Sequence, residues 1–221
     1  DYPPQATAAM LNLIDSHDTN RALYVLTEQG DSGLTQGKQR LQIAAIFQFT
    51  YVGAPMTFYG DEAGLNAPSR ANGDNGPIGD PYTRAPYPWT DQPGDPAIYG
   101  PPDQILISFY MKLSHLRKQH AALTSGNFAT LLTGDSQQPA TAPNTYAYAR
   151  VQGRDVVVVA LNNGSAQNTP IISVSAYFAD GTQLQDVLTG TMYKVSGGSV
   201  SLNLNPRSGA VLIPGVRHTG N

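Results

Sequence analysis

Two rhythms of apolar and polar residues divide the chain. In the first half, short apolar runs alternate with helical patterns. Met10-Leu11-Asn12-Leu13-Ile14 is a brief apolar run ending in Asp15-Ser16-His17-Asp18, as a buried strand reads when it delivers polar groups at its C-terminal end. Lys38 to Tyr51 sets Leu41, Ala44, Ala45, Ile46 and Phe49 at helical spacing, and Gly53-Ala54-Pro55 stops the pattern. Met56-Thr57-Phe58-Tyr59 predicts a second strand, again ending in polar residues, Gly60-Asp61-Glu62. From about Gly64 to Asp103 the chain is dense in Gly, Pro, Asn and Asp. An irregular loop of that length is uncommon and usually functional. Pro102-Asp103 then opens a helix carrying Leu106, Phe109, Tyr110, Leu113, Leu116, His120 and Leu123 at steps of three and four. Strand, helix, strand, loop, helix is the order of parallel β/α units, whose function sits on loops after the strand C-termini.

The second half reads as strands. Thr145 to Arg150 faces Asp155 to Leu161 across a turn at Gln152-Gly153, and Asn162-Asn163-Gly164 is another turn. Ser199 to Asn205 alternates cleanly, and Ala210 to Ile213 is a further apolar run. Short strands with frequent turn signals predict an antiparallel β-sandwich. The acids shift with the pattern: twelve lie in residues 1–125 and four in 126–221. These changes place a domain boundary near Ser125-Gly126.

Composition narrows the function classes. The 221 residues include only 13 Lys and Arg, none clustered, with a net charge of −3, which argues against a nucleic-acid partner. No apolar run approaches the ~20 residues of a membrane span, and residues 1–20 do not read as a signal peptide. With no Cys, disulfides and thiolate chemistry are excluded. The 16 acids comprise 14 Asp and only Glu28 and Glu62, so a catalytic Glu has two candidates.

Three constellations can carry chemistry, and each also has a plain structural reading. Asp15-Ser16-His17-Asp18-Thr19-Asn20-Arg21 puts two acids, a His, an Asn and an Arg at a strand end. It is either a capped loop or a carboxylate held beside a His at a barrel mouth. Tyr59-Gly60-Asp61-Glu62 offers an acidic pair, either a general acid or an anchor for the next loop. In the long loop, Asp80 and Arg84 form either a local ion pair or a planar set of acceptors and donors for sugar hydroxyls. Tyr82, Tyr87 and the sole Trp89 supply flat faces for pyranose rings or pack the loop. His115 and His120, five apart, do not share a helix face and make no metal site; His115 reads as surface and His120 as core edge.

Asn12-Leu13-Ile14-Asp15-Ser16-His17-Asp18-Thr19 resembles the seventh-strand motif of the α-amylase family of glycoside hydrolases, family 13. Gly53-Ala54-Pro55-Met56-Thr57-Phe58-Tyr59-Gly60-Asp61-Glu62-Ala63-Gly64-Leu65 resembles that family's eighth-strand motif. Asp80-Pro81-Tyr82-Thr83-Arg84 and Pro86-Tyr87-Pro88-Trp89 resemble the loop that follows it in neopullulanase and amylopullulanase-type members. The resemblance covers nearly the whole chain.

It implies α/β plus all-β architecture: the last two β/α units of a TIM (β/α)8 barrel in residues 1–125, then a C-terminal antiparallel β-sandwich in 126–221. It implies a retaining α-glucan hydrolase acting on starch, pullulan or maltodextrin. Asp18 would be the catalytic carboxylate that stabilises the transition state. His17 would donate to the sugar in the cleavage subsite, and Asp80 with Arg84 would hold the next sugar. Arg21, Tyr59, Glu62, Tyr82 and Trp89 are further candidates for substrate contact.

The family's nucleophile and acid/base come from the fourth and fifth strands. The resemblance therefore implies a C-terminal piece, inactive alone, that needs the N-terminal barrel segment or a second copy as partner. Two parallel strands leave open edges and an uncovered apolar face. No cofactor or metal is expected in this chain. Calcium is possible in the parent enzyme, with Asp74, Asn75 and Asp80 offering oxygen ligands. The resemblance implies secretion from a bacterium, an α-glucan ligand, and neither nucleic-acid nor membrane partners. The alternative is a non-catalytic carbohydrate-binding or structural β-sandwich module.

Overall fold

The computed structural model describes residues 2–28, 33–66, 83–89, 101–134 and 143–215. It divides into two compact units, residues 1–116 and 117–221.

The first unit carries α1 (Pro4–Ala8), β1 (Leu11–Asn12), α2 (Ala22–Glu28), α3 (Leu34–Thr50), β2 (Ala54–Pro55) and most of α4 (Gln104–Gln119). β1 and β2 run parallel, with Leu11 opposite Ala54 and Asn12 opposite Pro55. Side-chain amides hold the ends of this short pair. The Asn12 Nδ2 donates to the Val52 carbonyl at 2.9 Å, and the buried Gln48 Nε2 on α3 donates to the carbonyls of Asn12 and Met56 at 3.1 and 2.9 Å. Gly53 makes the approach possible. Its φ is 106°, and a Cβ there would stand 2.5 Å from the Met10 carbonyl oxygen. Behind the strands Ala22, Leu23, Leu41 and Leu106 form a buried cluster. Asp103 caps α4: its Oδ1 accepts from the Ile105 and Leu106 amides, and its Oδ2 pairs with Lys38 at 2.6 Å.

The expected second strand over 56–59 is displaced. The ladder is Ala54–Pro55, and residues 59–64 are turns. Each strand is two residues long because, among the described residues, each pairs only with the other. Met10, Leu11 and Leu13 around β1 are half exposed or more. Most of the expected loop, residues 67–82 and 90–100, lies outside the described residues.

The second unit opens with the short α5 (Ala121–Ser125). A six-stranded antiparallel sheet follows, in the order β3-β4-β5-β10-β7-β8. Its strands are β3 (Asn127–Thr133), β4 (Thr145–Gln152), β5 (Asp155–Asn162), β7 (Gln183–Asp186), β8 (Met192–Lys194) and β10 (Ser208–Pro214). The pair β6 (Ile171–Ser173) and β9 (Ser199–Ser201) forms a second sheet. Ile172, Val174, Val200, Leu202 and Leu204 meet Ala147, Ala149, Val158, Ala160 and Leu212 in one core, so the two sheets form a sandwich. The run Val156 to Leu161 is buried throughout, as a central strand requires.

The division lies at 116/117, earlier than the boundary expected near 125. Asp155 accepts from the Ala122 amide at 2.9 Å and pairs with His120 Nδ1 at 2.7 Å. These bonds tie residues 120–125 to the sandwich. No described helix is long and apolar enough to cross a membrane.

Candidate functional site

The loop from β1 to α2 presents the first constellation. Thr19 and Ser16 close a tight turn, with the Ser16 amide donating to Thr19 Oγ1 at 2.9 Å and the Asp18 amide to Ser16 Oγ at 3.3 Å. This turn pushes His17 and Asp18 outward. The Asp18 carboxylate is 70% exposed, with His17 Nε2 at 3.2 Å from its Oδ2 and Arg84 Nη2 at 3.2 Å from its Oδ1. An exposed carboxylate flanked by two nitrogen donors is poised to trade these contacts for a positively charged or polyhydroxylated ligand.

Asp15 points the other way. It is buried, and its Oδ2 accepts the Ala22 amide at 2.8 Å, fixing the start of α2. Asp61, also buried, lies beside it, and Asp15 Oδ1 and Asp61 Oδ2 have no hydrogen-bond partner among the described residues. Burial raises the Asp15 carboxyl against the opposing pull of Ala22, Asp61 and Arg21. Burial, then the Asp15 charge, pushes Asp61 up to about 9, with Arg21 acting against both. Two carboxyls side by side in so dry a place resist ionising together. Tyr110 lies near this pair. Its hydroxyl has no partner among the described residues, and burial raises its pKa far above the usual value.

Arg21 is fully buried and so reaches no ligand directly. Its Nη1 donates to the Tyr59 carbonyl at 2.6 Å, and its guanidinium lies 4.2 Å from the Phe58 ring centre and 4.6 Å from that of Tyr59. Tyr59 is partly exposed, and its hydroxyl donates to the Ala85 carbonyl at 2.8 Å. One stack thus links the loop after β1, the turn after β2 and the segment bearing Arg84. Glu62 serves its own turn, accepting the Gly60 amide at 3.0 Å, which is the anchoring reading of that acid.

Beside Arg84, the rings of Tyr87 and Trp89 lie 4.5 Å apart, and Trp89 is 60% exposed. The structure thus brings together His17, Asp18, Arg84, Tyr59 and the Tyr87–Trp89 platform. Asp80 and Tyr82 lie outside the described residues, as do Asp74 and Asn75. Among the described residues no group of three or more His, Cys, Asp or Glu could hold a metal ion. His115 is exposed and His120 half buried. Glu28 ends α2. The buried Asp15–Asp61 pair was not anticipated. The one signal for it is that each acid sits at the polar end of a short apolar run.

No protein-family model matches the chain. It is 31% identical over 211 residues to neopullulanase 2 of Thermoactinomyces vulgaris, covering 96% of this chain and 30% of that protein. It is 28% identical over 230 residues to an amylopullulanase of Thermoanaerobacter thermohydrosulfuricus, covering 96% and 14%. Among solved structures, a cyclomaltodextrinase superposes with a TM-score of 0.68 at 30% identity, covering 96% of this chain and 31% of that one. The chain therefore spans under a third of the length of each.

Proposed function

We propose, from the homology of this chain to the neopullulanases, amylopullulanases and cyclomaltodextrinases of the α-amylase family (glycoside hydrolase family 13), that it serves the cleavage of α-glucosidic bonds. Residues 1–116 supply the seventh and eighth β/α units of a (β/α)8 barrel, and the sandwich closes the C-terminal side of the chain. The observation that carries this reading is the exposed Asp18 carboxylate between His17 and Arg84, on the loop after β1. Active groups of such barrels sit on the loops after the strands.

In this scheme Asp18 stabilises the positive charge that develops on the sugar ring, and configuration is retained. His17 donates to a hydroxyl of that sugar. Arg84, with Asp80, holds the neighbouring sugar once substrate displaces it from Asp18. Tyr59 and Trp89 offer ring faces to the pyranoses. The buried Arg21 and Asp15–Asp61 act behind these groups, holding the three segments in register.

The nucleophile and the acid/base belong to upstream barrel strands in that family. Glu62 is spent on its own turn and Glu28 ends a helix, so the chain alone does not hydrolyse. The apolar, half-exposed Met10, Leu11 and Leu13 support upstream strands as the partner that covers β1 and β2.

The test joins the chain to the upstream barrel of a relative and measures reducing ends released from starch, pullulan and maltodextrin. Turnover is expected, with retained configuration at the first product, and Asp18→Asn abolishes it. Unchanged activity in Asp18→Asn overturns the assignment. Turnover by the unsupplemented chain overturns the placement of the missing acids.

A further inference from the structure

The sandwich carries its own concavity, built wholly from the second unit. A groove of about 770 Å³ lies between the β4–β5 turn, the segment 176–183, β8 and the end of β10. That volume falls within the usual range for small-ligand sites.

The lining is mixed in a specific way. Tyr177 is half buried against the sandwich core, and Phe178 beneath it is part of that core. Together they give the groove an aromatic floor. Arg154 and Gln183 line the groove and are exposed, and their side chains make no hydrogen bond to any described residue. The Thr182 hydroxyl donates to the Ala179 carbonyl at 2.7 Å and keeps its acceptor capacity. Gly153 and Gly181 also line it with open space on their side-chain side, so the backbone there stands bare for close approach, while the Met192 side chain covers Gly215.

A ring face, a guanidinium and an amide unspent among the described residues, and bare backbone make an amphipathic set. Among the described residues the lining holds one cation and no acid. A polyol with an apolar ring face satisfies all of it, whereas a purely apolar ligand strands the arginine and the amide.

We propose that this groove is a second glycan-binding site, taking two to three glucosyl units of an α-glucan on the sandwich, separate from the His17–Asp18 site. The identity of the sugar rests on the function proposed above; the existence of the site rests on the groove itself. It gives the second unit a substrate-holding role, beyond buttressing.

The test uses the ¹⁵N-labelled 221-residue chain titrated with maltotriose, with cellotriose and sulfate as controls, read by amide chemical shifts. Maltotriose is expected to move the amides of Gly153, Arg154, Tyr177 and Gln183 together. Tyr177→Ala and, separately, Gln183→Ala are each expected to weaken that response about tenfold. The amides of His17, Asp18 and Trp89 keep theirs. Gln183 is exposed at the sheet surface, so its variant tests the site without disturbing the core. Shifts confined to residues 17–18 and 84–89, or an unaltered groove response in both variants, overturn the proposal. An equal response to sulfate overturns it in favour of an anion site, and an equal response to cellotriose removes the α-glucan assignment. Groove shifts with none at 17–18 and 84–89 sustain this proposal and count against the substrate role given to Asp18.

Discussion

Replacing Asp61 by Asn should change how stability depends on pH, and the size of the change follows from the buried pair. Asp61 is 2% exposed and lies beside Asp15, and folding raises its pKa from 3.8 to about 9. An acid with a raised folded pKa keeps a proton that the unfolded chain has released. Its contribution is therefore complete below pH 3.8 and declines as pH rises through the window up to about 9. One proton of difference costs about 1.4 kcal/mol per pH unit. From pH 6 to 8 the pair thus weakens the fold by roughly 3 kcal/mol. The groups facing the pair are Arg21, Glu62 and the Tyr110 hydroxyl, and Arg21 acts against the rise. Asparagine has the shape of the protonated acid, but it does not titrate. Urea unfolding of wild type and Asp61→Asn at pH 6, 7 and 8, followed at 222 nm where the helices of residues 1–116 dominate, gives the comparison. The stability difference should move in the variant's favour by about 1.4 kcal/mol per unit. Parallel curves would refute the raised pKa and leave Asp61 ionised.

Other substitutions separate display from support. Asp18→Asn loses an ion pair whose partners are 47% and 70% exposed, so stability should stay within about 0.5 kcal/mol by thermal melting, while the barrel-completed enzyme loses hydrolysis by at least about a hundredfold. Trp89→Ala removes an exposed ring face and should raise the KM for maltooligosaccharides several-fold with no loss of melting temperature. Asp155→Ala uncaps α5 and strands His120, and should cost about 1–2 kcal/mol in urea unfolding. Gly53→Ala forces a Cβ to within 2.5 Å of the Met10 carbonyl at a φ of 106° and should cost more than about 1 kcal/mol by the same measurement.

Where one residue's environment is set by its neighbours in sequence, the structure was legible. The alternation over Thr145 to Arg150, the unbroken valines of β5 and the turn at Gly153 announce a hairpin, and the turn glycine does have a positive φ. The steps of three and four announced α3 and α4. Strands whose polar residues are paid for by distant partners were not legible. Gln183-Leu184-Gln185-Asp186 carries no apolar run that announces a strand, yet it forms β7, where the buried Asp186 accepts the Leu188 and Val211 amides and the Thr189 hydroxyl. At the site, the motif residues His17, Asp18 and Arg84 were named from sequence. The contact of Arg84 with Asp18, across 66 residues, was not. It is set by the path of a loop, which no local pattern encodes.

The same distinction explains why a chain so sparing of charge buries three ionisable groups together. Only 13% of its residues are charged, yet Asp15, Arg21 and Asp61 are all nearly or wholly inaccessible. Buried charged groups are poor sources of net stability, since desolvation offsets what their attraction returns, and an apolar trio of like volume serves a core as well or better. What an apolar trio lacks is direction. Asp15 aims at the Ala22 amide and Arg21 at the Tyr59 carbonyl, with Asp61 lying beside Asp15. These bonds join the loop after β1 to the turn after β2, immediately behind His17, Asp18 and Tyr59. Both strands are only two residues long and exert little hold on the loops they carry. The polar trio supplies the hold that the short ladder does not, so its cost in stability is the cost of keeping Asp18 in place.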